Sequence, residues 1–190
     1  MVEWVLWGGF ALTLVSIIWV YNTFVRLSNQ VRTAWSDVDV QLARRHDLVP
    51  SLVKVVSAYA NHEKQLFSDV VRLRGEALNL HSPSKLALLE DGIQQNVNRI
   101  LLLQESYPEL KSSTNFLKLQ HQLVEVEDEL QYARRFYNGA VRDYNDAVQM
   151  FPYRLFARPF GFRVADYFTA GSAAQSSVQV SLSPENQGRN

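Results

Sequence analysis

The sequence contains no cysteine, and this absence excludes disulfide bonds, cysteine zinc sites and thiol nucleophiles together. It also has no excess of either charge, because 19 basic side chains balance 19 acidic ones. A neutral chain has no overall field that attracts a polyanion, so we expect no nucleic-acid partner. Composition therefore indicates neither a redox site nor a nucleic-acid-binding surface.

Motifs of catalysis and cofactor binding are missing as well. His62-Glu63 is not followed by the second histidine that a zinc-protease helix requires, and no Glu-x-x-His repeat of a di-iron bundle occurs. The one glycine pair, Gly8-Gly9, lies inside an apolar run and cannot form a phosphate loop. The histidines are scattered, at 46, 62, 81 and 121. We therefore expect no catalytic residue, no metal, no cofactor and no enzymatic activity.

The apolar residues are concentrated at the N-terminus. Trp4 to Val25 forms a run of 22 residues without a charge, which spans about 33 Å as a helix and suffices for the hydrocarbon core of a bilayer. Aromatic side chains typical of membrane interfaces flank it, namely Trp4, Trp7, Trp19 and Tyr21. A cleaved signal peptide is the alternative, but such a peptide begins with basic residues and ends at a small-residue cleavage site. The sequence favours a retained single-pass anchor.

The flanking charges predict the orientation of this anchor. No lysine or arginine precedes the apolar run, whereas Arg26 and Arg32 follow it closely. Because positively charged flanks stay in the cytoplasm, we expect the N-terminus outside and the rest of the chain cytoplasmic.

Two long segments repeat apolar residues in steps of three and four, the period of a helix that buries one stripe. The first runs from Val31 to Leu80, with Arg45 and Glu63 as its charged exceptions, and we predict it to be helical throughout. Asp47 and Pro50 mark the one place where it could break or kink. The second runs from Phe116 to Phe151 and ends at Pro152. Between them, Ser82-Pro83 is typical of a helix start, and Pro108 of the following helix's end.

Several separated sequence signatures accompany this pattern. They are Tyr21-Asn22, Asn29, AWSDVDVQLARRHDLVPSLV at 34–53, YANHE at 59–63, ARRFYNGAVRDYNDAVQMFP at 133–152, Gly161-Phe162 and Tyr167-Phe168. In this order and spacing, over about residues 20–170, the chain resembles the LemA family of bacterial membrane proteins. The resemblance implies an all-α protein: an N-terminal transmembrane helix, then an antiparallel up-and-down four-helix bundle with long coiled-coil-like helices. It implies no catalytic residues, and some relatives are associated with magnetosome membranes.

The chain accordingly divides into four predicted parts. Residues 1–27 form the anchor and 28–152 the helical bundle. Residues 153–170 form a segment rich in aromatic residues and arginine, and 171–190 a disordered tail. The third part has two interpretations, a lid over the open end of the bundle or a membrane-interface element with arginines on anionic lipid. Its membrane-interface candidates, which join Trp4, Trp7, Trp19 and Tyr21, are Phe156, Arg158, Phe160 and Phe162.

Other residues are candidates for structural pairing or interaction: Trp35, Asp37, Asp39, Arg45, Glu63, Arg134, Arg135 and Arg142. Asp37 and Asp39 have no cation three or four residues downstream. We therefore predict that segment 34–42 packs antiparallel to segment 133–145, with one of these aspartates near Arg134, Arg135 or Arg142. The charged face of the second long helix, which includes Glu127 and Arg134, is otherwise typical of a solvated surface. Arg45 and Glu63 are expected at the stripe edge or paired with other helices or subunits, because an unpaired buried charge is costly.

These features favour a non-enzymatic scaffold in the bacterial inner membrane that organises membrane or partner proteins at the cytoplasmic face. We expect contact with the bilayer, self-assembly into homo-oligomers and a possible membrane-protein partner. The alternative is an accessory or adaptor subunit of a membrane enzyme such as a protease.

Overall fold

The computed structural model describes residues 2–80 and 82–169, and every regular element in this part of the chain is a helix. The elements are α1 (Val2–Ser57), α2 (Lys64–Ala77), α3 (Pro83–Leu102), a 3₁₀ turn (Leu103–Glu105), α4 (Pro108–Lys111), α5 (Thr114–Gln149) and α6 (Arg154–Ala157). The predicted all-α fold, with a long apolar N-terminal helix, is confirmed. The predicted tail at 171–190 lies outside the described residues.

The helices α1 and α5 form an antiparallel pair. The ring centroids of Trp35 and Tyr137 lie 5.1 Å apart, and the side chains of Arg45 and Glu127 meet at 3.1 Å. From the first contact to the second, the residue number rises by ten on α1 and falls by ten on α5. The predicted antiparallel packing of segments 34–42 and 133–145 is confirmed.

The helices α2 and α3 fold back in turn to complete the bundle. Arg74 of α2 reaches the backbone of His46 on α1, and Gly92 of α3 lies against Leu73 of α2. Each contact joins residues on the two sides of a short turn, so each helix folds back on the one before it. The main core lies between the four long helices and includes Val38, Leu52, Val70, Ile93 and Leu130.

The first helix departs from the prediction. It passes through Asp47 and Pro50 without interruption and ends at Ser57, and the chain turns at 58–63 before α2. The stripe of 31–80 therefore belongs to two helices, and a helix through all of it is wrong. The register with α5 supplies the reason: α5 begins at Thr114, level with the end of α1. A longer helix would have no partner there, whereas the turn buries Leu66, Phe67 and Val70 in the core.

The predicted starts of α3 and α5 hold, whereas α3 ends at Leu102 and Pro108 begins the short helix α4. Ser82 stands in the cap position of α3 with Pro83 first in the helix. α5 is capped by Ser113, whose hydroxyl accepts a hydrogen bond from the backbone of Phe116. Its stripe is buried along most of its length, and only Phe151, just past the helix, is fully exposed.

Candidate functional site

The aromatic segment after α5 packs on the end of the apolar run of α1. Phe162 stacks on Phe24 with ring centroids 4.8 Å apart, and Phe160 meets Tyr21 at 5.3 Å. Tyr153 lies 6.0 Å from Trp19. Tyr153, Phe156 and Phe162 pack against the buried Val20, Phe24 and Ala157 in a small second core.

The predicted interface residues therefore divide into two groups. The structure gathers Trp19, Tyr21, Phe156, Phe160 and Phe162 at one end of the apolar run, with Arg158 exposed beside them. Trp4 and Trp7 are exposed near the N-terminus, where Trp7 contacts Phe10. This pattern of aromatic rings at both ends of an exposed apolar helix is typical of a membrane span.

After Gly161 the chain returns along α5 as an extended strap, residues 163–168. Two asparagines of α5 hold it by its backbone. Asn145 accepts a hydrogen bond from the Ala165 N–H (2.8 Å) and donates to the Ala165 carbonyl (3.0 Å). Asn138 makes the same two bonds with Phe168, both at 2.9 Å. Each asparagine side chain thus pairs with both backbone polar groups of one strap residue, as the backbone of a neighbouring β-strand would.

Two tyrosines next to these asparagines bind the same strap. Tyr137 donates its hydroxyl to the Asp166 carbonyl at 2.8 Å, and Tyr144 has a hydrogen bond with the backbone of Arg163. Burial, with the nearby Asp166 charge, raises the pKa of Tyr137 to about 12, so this donor keeps its proton at any ordinary pH. Burial also raises the pKa of Tyr144.

The spacing of the two Tyr-Asn pairs explains why they can share one strap. They lie seven residues apart on α5, which is about 10 Å along a helix. Their partners on the strap lie three residues apart, which is also about 10 Å in extended backbone. The sequence YNGAVRDYN is therefore a two-point holder for an extended chain.

The far end of the strap packs beside the bundle core. The Phe168 ring is buried, lies 6.0 Å from Trp35, and receives the guanidinium of Arg134 on its face at 4.9 Å. Burial is the main cause that lowers the pKa of Arg134, and the positive charge of Arg45 lowers it further. The negative charges of Glu127, Asp91 and Glu90 raise this pKa and so offset part of the shift. Arg134 thus connects the strap to a cluster of charges inside the bundle.

This ion cluster is centred on Arg45, whose side chain is only 1% exposed. Its guanidinium pairs with the carboxylate of Glu90 on α3, and it donates to Gln94 Oε1 (2.8 Å) and to Glu127 Oε2 (3.1 Å). His46 Nε2 donates to the other Glu90 oxygen at 2.8 Å. Three helices, α1, α3 and α5, therefore meet at one buried cation.

Glu90 is ionised at the centre of this cluster. Burial alone would raise the pKa of its carboxyl group, but the hydrogen bond with His46 and the charge of Arg45 together lower it below its ordinary value. The buried charges are thus compensated within the cluster.

A further polar contact explains how α1 continues through Pro50. Proline has no N–H, so it cannot donate to the carbonyl four residues earlier, which is that of His46. Arg74 of α2 donates its Nε–H to this carbonyl at 2.6 Å instead. The interhelical bond takes the place of the missing helical one.

Other predicted pairings are not present. Asp37 and Asp39 are exposed, and among the described residues no arginine lies within 4.0 Å of either, so the predicted ion pair is wrong. The register brings Asp37 level with Arg135, whereas Arg134 approaches the acidic groups of the ion cluster and the Phe168 ring. Arg142 pairs with its neighbour Asp143 at 3.2 Å, and Arg135 is exposed.

The two charged residues of the first stripe differ in their surroundings. Arg45 is paired with other helices, one of the outcomes expected for it, whereas Glu63 is only half-buried at the start of α2. Glu127 and Arg134 do not belong to a solvated face, because both point towards the ion cluster.

Sequence reasoning missed Glu90, Gln94, Arg74, Asn138 and Asn145. The sequence pattern could have indicated Glu90 and the two asparagines. Glu90 follows Leu86 by four residues and precedes Ile93 by three, so it shares their buried stripe. The repeated Tyr-Asn pair was visible in the sequence as well. In residues 2–80 and 82–169, no group of three or more His, Asp or Glu side chains is arranged to hold a metal ion.

The α1 helix contains one segment long and apolar enough to cross a membrane, and only 6% of that segment is buried by the rest of the protein. Such exposure distinguishes it from the core helix of a soluble protein. The segment is therefore a candidate membrane span.

Comparison with known proteins agrees with this description. The chain is 26% identical over 184 residues to Magnetosome protein MamQ 2 and to MamQ 1 of Paramagnetospirillum magneticum, covering 83% of this chain and 68% of each relative. It is 23% identical, over the same shares, to Magnetosome protein MamQ of Magnetospirillum gryphiswaldense. The sequence model of the LemA family matches residues 34–182, which include the ion cluster, the Tyr-Asn pairs and the strap. The chain belongs to the LemA family.

Proposed function

We propose that this protein is a non-enzymatic scaffold, anchored by α1 in the bacterial plasma membrane, that organises proteins at the cytoplasmic face by self-assembly. The exposed apolar segment of α1 carries the membrane part of the proposal, because the rest of the described chain buries only 6% of it. The similarity to proteins named for the magnetosome supports a role at a membrane.

The orientation follows from charge. Arg26 and Arg32 follow the apolar segment, and no basic residue precedes it, so the bundle is expected in the cytoplasm. The absence of cysteine makes this directly testable, since Glu3→Cys and Glu125→Cys each introduce a single thiol on an exposed residue. A membrane-impermeant maleimide should label Glu3→Cys in intact cells, and Glu125→Cys only after permeabilisation. The reverse pattern would refute the orientation.

An exposed groove between α1 and α5 supports self-assembly. It has a volume of about 250 Å³ and is lined by the exposed apolar side chains of Val40, Tyr132 and Phe136, with Asp37 and Glu129 beside them. Apolar side chains exposed side by side on two rigid helices are typical of a protein contact surface. We propose a second copy of this chain as the occupant.

The particle mass in mild detergent tests this assignment. We expect the wild-type protein to form an oligomer, and the double variant Tyr132→Ser, Phe136→Ser to dissociate at least ten-fold more readily. Leu102→Ser, an exposed leucine on α3, serves as the control and should leave the mass unchanged. A wild-type monomer that gains mass only with a second membrane protein would favour the accessory-subunit alternative.

A further inference from the structure

A cavity of about 710 Å³ opens where the chain turns from α5 into the strap. Its walls come from the end of α5, from α6 and from the residues that follow, and they carry the side chains of Arg154, Arg158 and Arg163. Among the residues that the structure describes, no acidic side chain lines it. The cavity is thus bounded by three positive charges and no negative one.

The local backbone explains how three arginines come to share one cavity. Gly161 adopts a left-handed conformation with φ of 77°, and the Phe162 N–H bonds to the Ala157 carbonyl at 2.9 Å. The chain reverses at this point, which brings Arg163 back beside Arg158. A side chain at position 161 would strain the reversal.

The three arginines also lack acidic partners elsewhere. None of them has a carboxylate within 4.0 Å in the part of the chain that the structure describes, whereas Arg45, Arg72 and Arg142 all do. Like charges around one cavity repel each other, and an anion between them removes this repulsion. Guanidinium groups are well suited to phosphate oxygens, which they bind in pairs of hydrogen bonds.

The position of the cavity indicates which anion is available. Phe162 forms part of its wall and also stacks on Phe24, at the end of the apolar segment of α1. The level of the membrane where this segment ends is that of the lipid headgroups. Phe151 and Leu155, close to the cavity in sequence, are 80% and 63% exposed, as expected for side chains that enter the acyl region.

We propose that this arginine cavity binds the phosphate of an anionic phospholipid whose acyl chains lie along the exposed end of α1. The assignment depends on the membrane placement proposed above. It makes the segment 153–163 a specific lipid site. The phosphate takes the position between the three guanidinium groups.

The test uses the full chain in nanodiscs that contain phosphatidylcholine with or without phosphatidylglycerol. Native mass spectrometry then measures the lipid that stays bound after release from the disc. We expect the wild-type protein to retain phosphatidylglycerol in preference to phosphatidylcholine. The triple variant Arg154→Gln, Arg158→Gln, Arg163→Gln should retain it at least ten-fold less, since each basic contact with an anionic membrane changes binding about five-fold.

The matched control is Arg72→Gln, Arg135→Gln, Arg142→Gln, which removes the same charge from exposed arginines elsewhere and should retain the lipid. Equal loss in both triple variants would show a general charge effect and overturn the site. Displacement of the lipid by millimolar inorganic phosphate, with equal occupancy in pure phosphatidylcholine, would assign the cavity to free phosphate and overturn the lipid assignment. Carbonate extraction separates this from the proposed function: a chain released from membranes contradicts the anchor, whereas a retained chain without lipid preference contradicts the cavity alone.

Discussion

At the scale of single residues, the ion cluster determines how the bundle responds to acid. The pKa of Glu90 is lowered in the folded protein, so its contribution to stability is present above the unfolded value of about 4.5. This contribution is lost as the pH falls through the folded pKa. The bundle should therefore lose stability below pH 4.5 through this one carboxylate in addition to its surface acids.

We expect Glu90→Gln to lower the free energy of unfolding at pH 7 by about 3 kcal/mol, because it leaves Arg45 without its closest anion. The same variant should show a weaker dependence of stability on pH below 4.5. Urea unfolding at several pH values measures both effects. Glu125→Gln, on an exposed residue, is the control, and an equal pH dependence in wild type and Glu90→Gln would contradict the role of Glu90.

Arg74 provides a second prediction at this scale. Arg74→Met keeps the aliphatic part of the side chain but leaves the buried carbonyl of His46 unpaired, which costs about 1–3 kcal/mol. In a Pro50→Ala background the new backbone N–H can reach that carbonyl, so the same substitution should cost about 1 kcal/mol less. A double-mutant cycle of unfolding free energies measures this coupling. Additive effects would show that Arg74 does not compensate for the proline.

At the scale of elements, two asparagines seven residues apart on α5 hold the strap in its extended conformation. Each asparagine makes two hydrogen bonds to one strap residue, worth about 1 kcal/mol each. We expect Asn138→Ala or Asn145→Ala to accelerate amide exchange of residues 163–168 by about thirty-fold. Hydrogen exchange with mass spectrometry detects this change in one peptide.

Asn115→Ala, at the exposed start of α5, is the matched control and should leave the exchange of the strap unchanged. Unaltered exchange in Asn138→Ala and Asn145→Ala would mean that the tyrosine hydrogen bonds and the contacts of Phe168 hold the strap without the asparagines.

The sequence predicts those elements that depend on local interactions and fails for those that depend on contacts between residues far apart in the chain. The period of the apolar residues and the capping residue determine α5, so the sequence alone predicts a helix from Phe116 to about Gln149. The end of α1 depends on where α5 begins, more than fifty residues away, and a continuous stripe cannot reveal it. The position of the Arg134 side chain depends on Phe168 and Glu127 together, so the register of α1 and α5 alone could not show which groups it approaches.

At the scale of the whole molecule, the membrane segment and the bundle are one folded unit. Val20 and Phe24, within the apolar run, are buried against the segment that follows α5. We expect a chain that begins at Trp19 to keep this second core and a chain that begins at Asn29 to lose it. Loss of a buried phenylalanine side chain costs about 3–5 kcal/mol, and thermal unfolding should show the difference.

Amide exchange of residues 153–162 should also rise in the shorter chain and stay low in the longer one. Equal thermal stability of the two chains would mean that the aromatic segment folds independently of α1.

The unbroken course of α1 has a mechanical consequence. Arg45 lies 20 residues beyond Val25 on the same helix, a distance of about 30 Å without a flexible joint. With α1 in a bilayer as proposed, the bundle cannot rotate about a flexible linker, and any tilt of the membrane half of α1 becomes a lateral displacement of the other half. The distance of the bundle surface from the bilayer, and the angle at which a neighbouring protein contacts it, are therefore set by how α1 lies in the membrane.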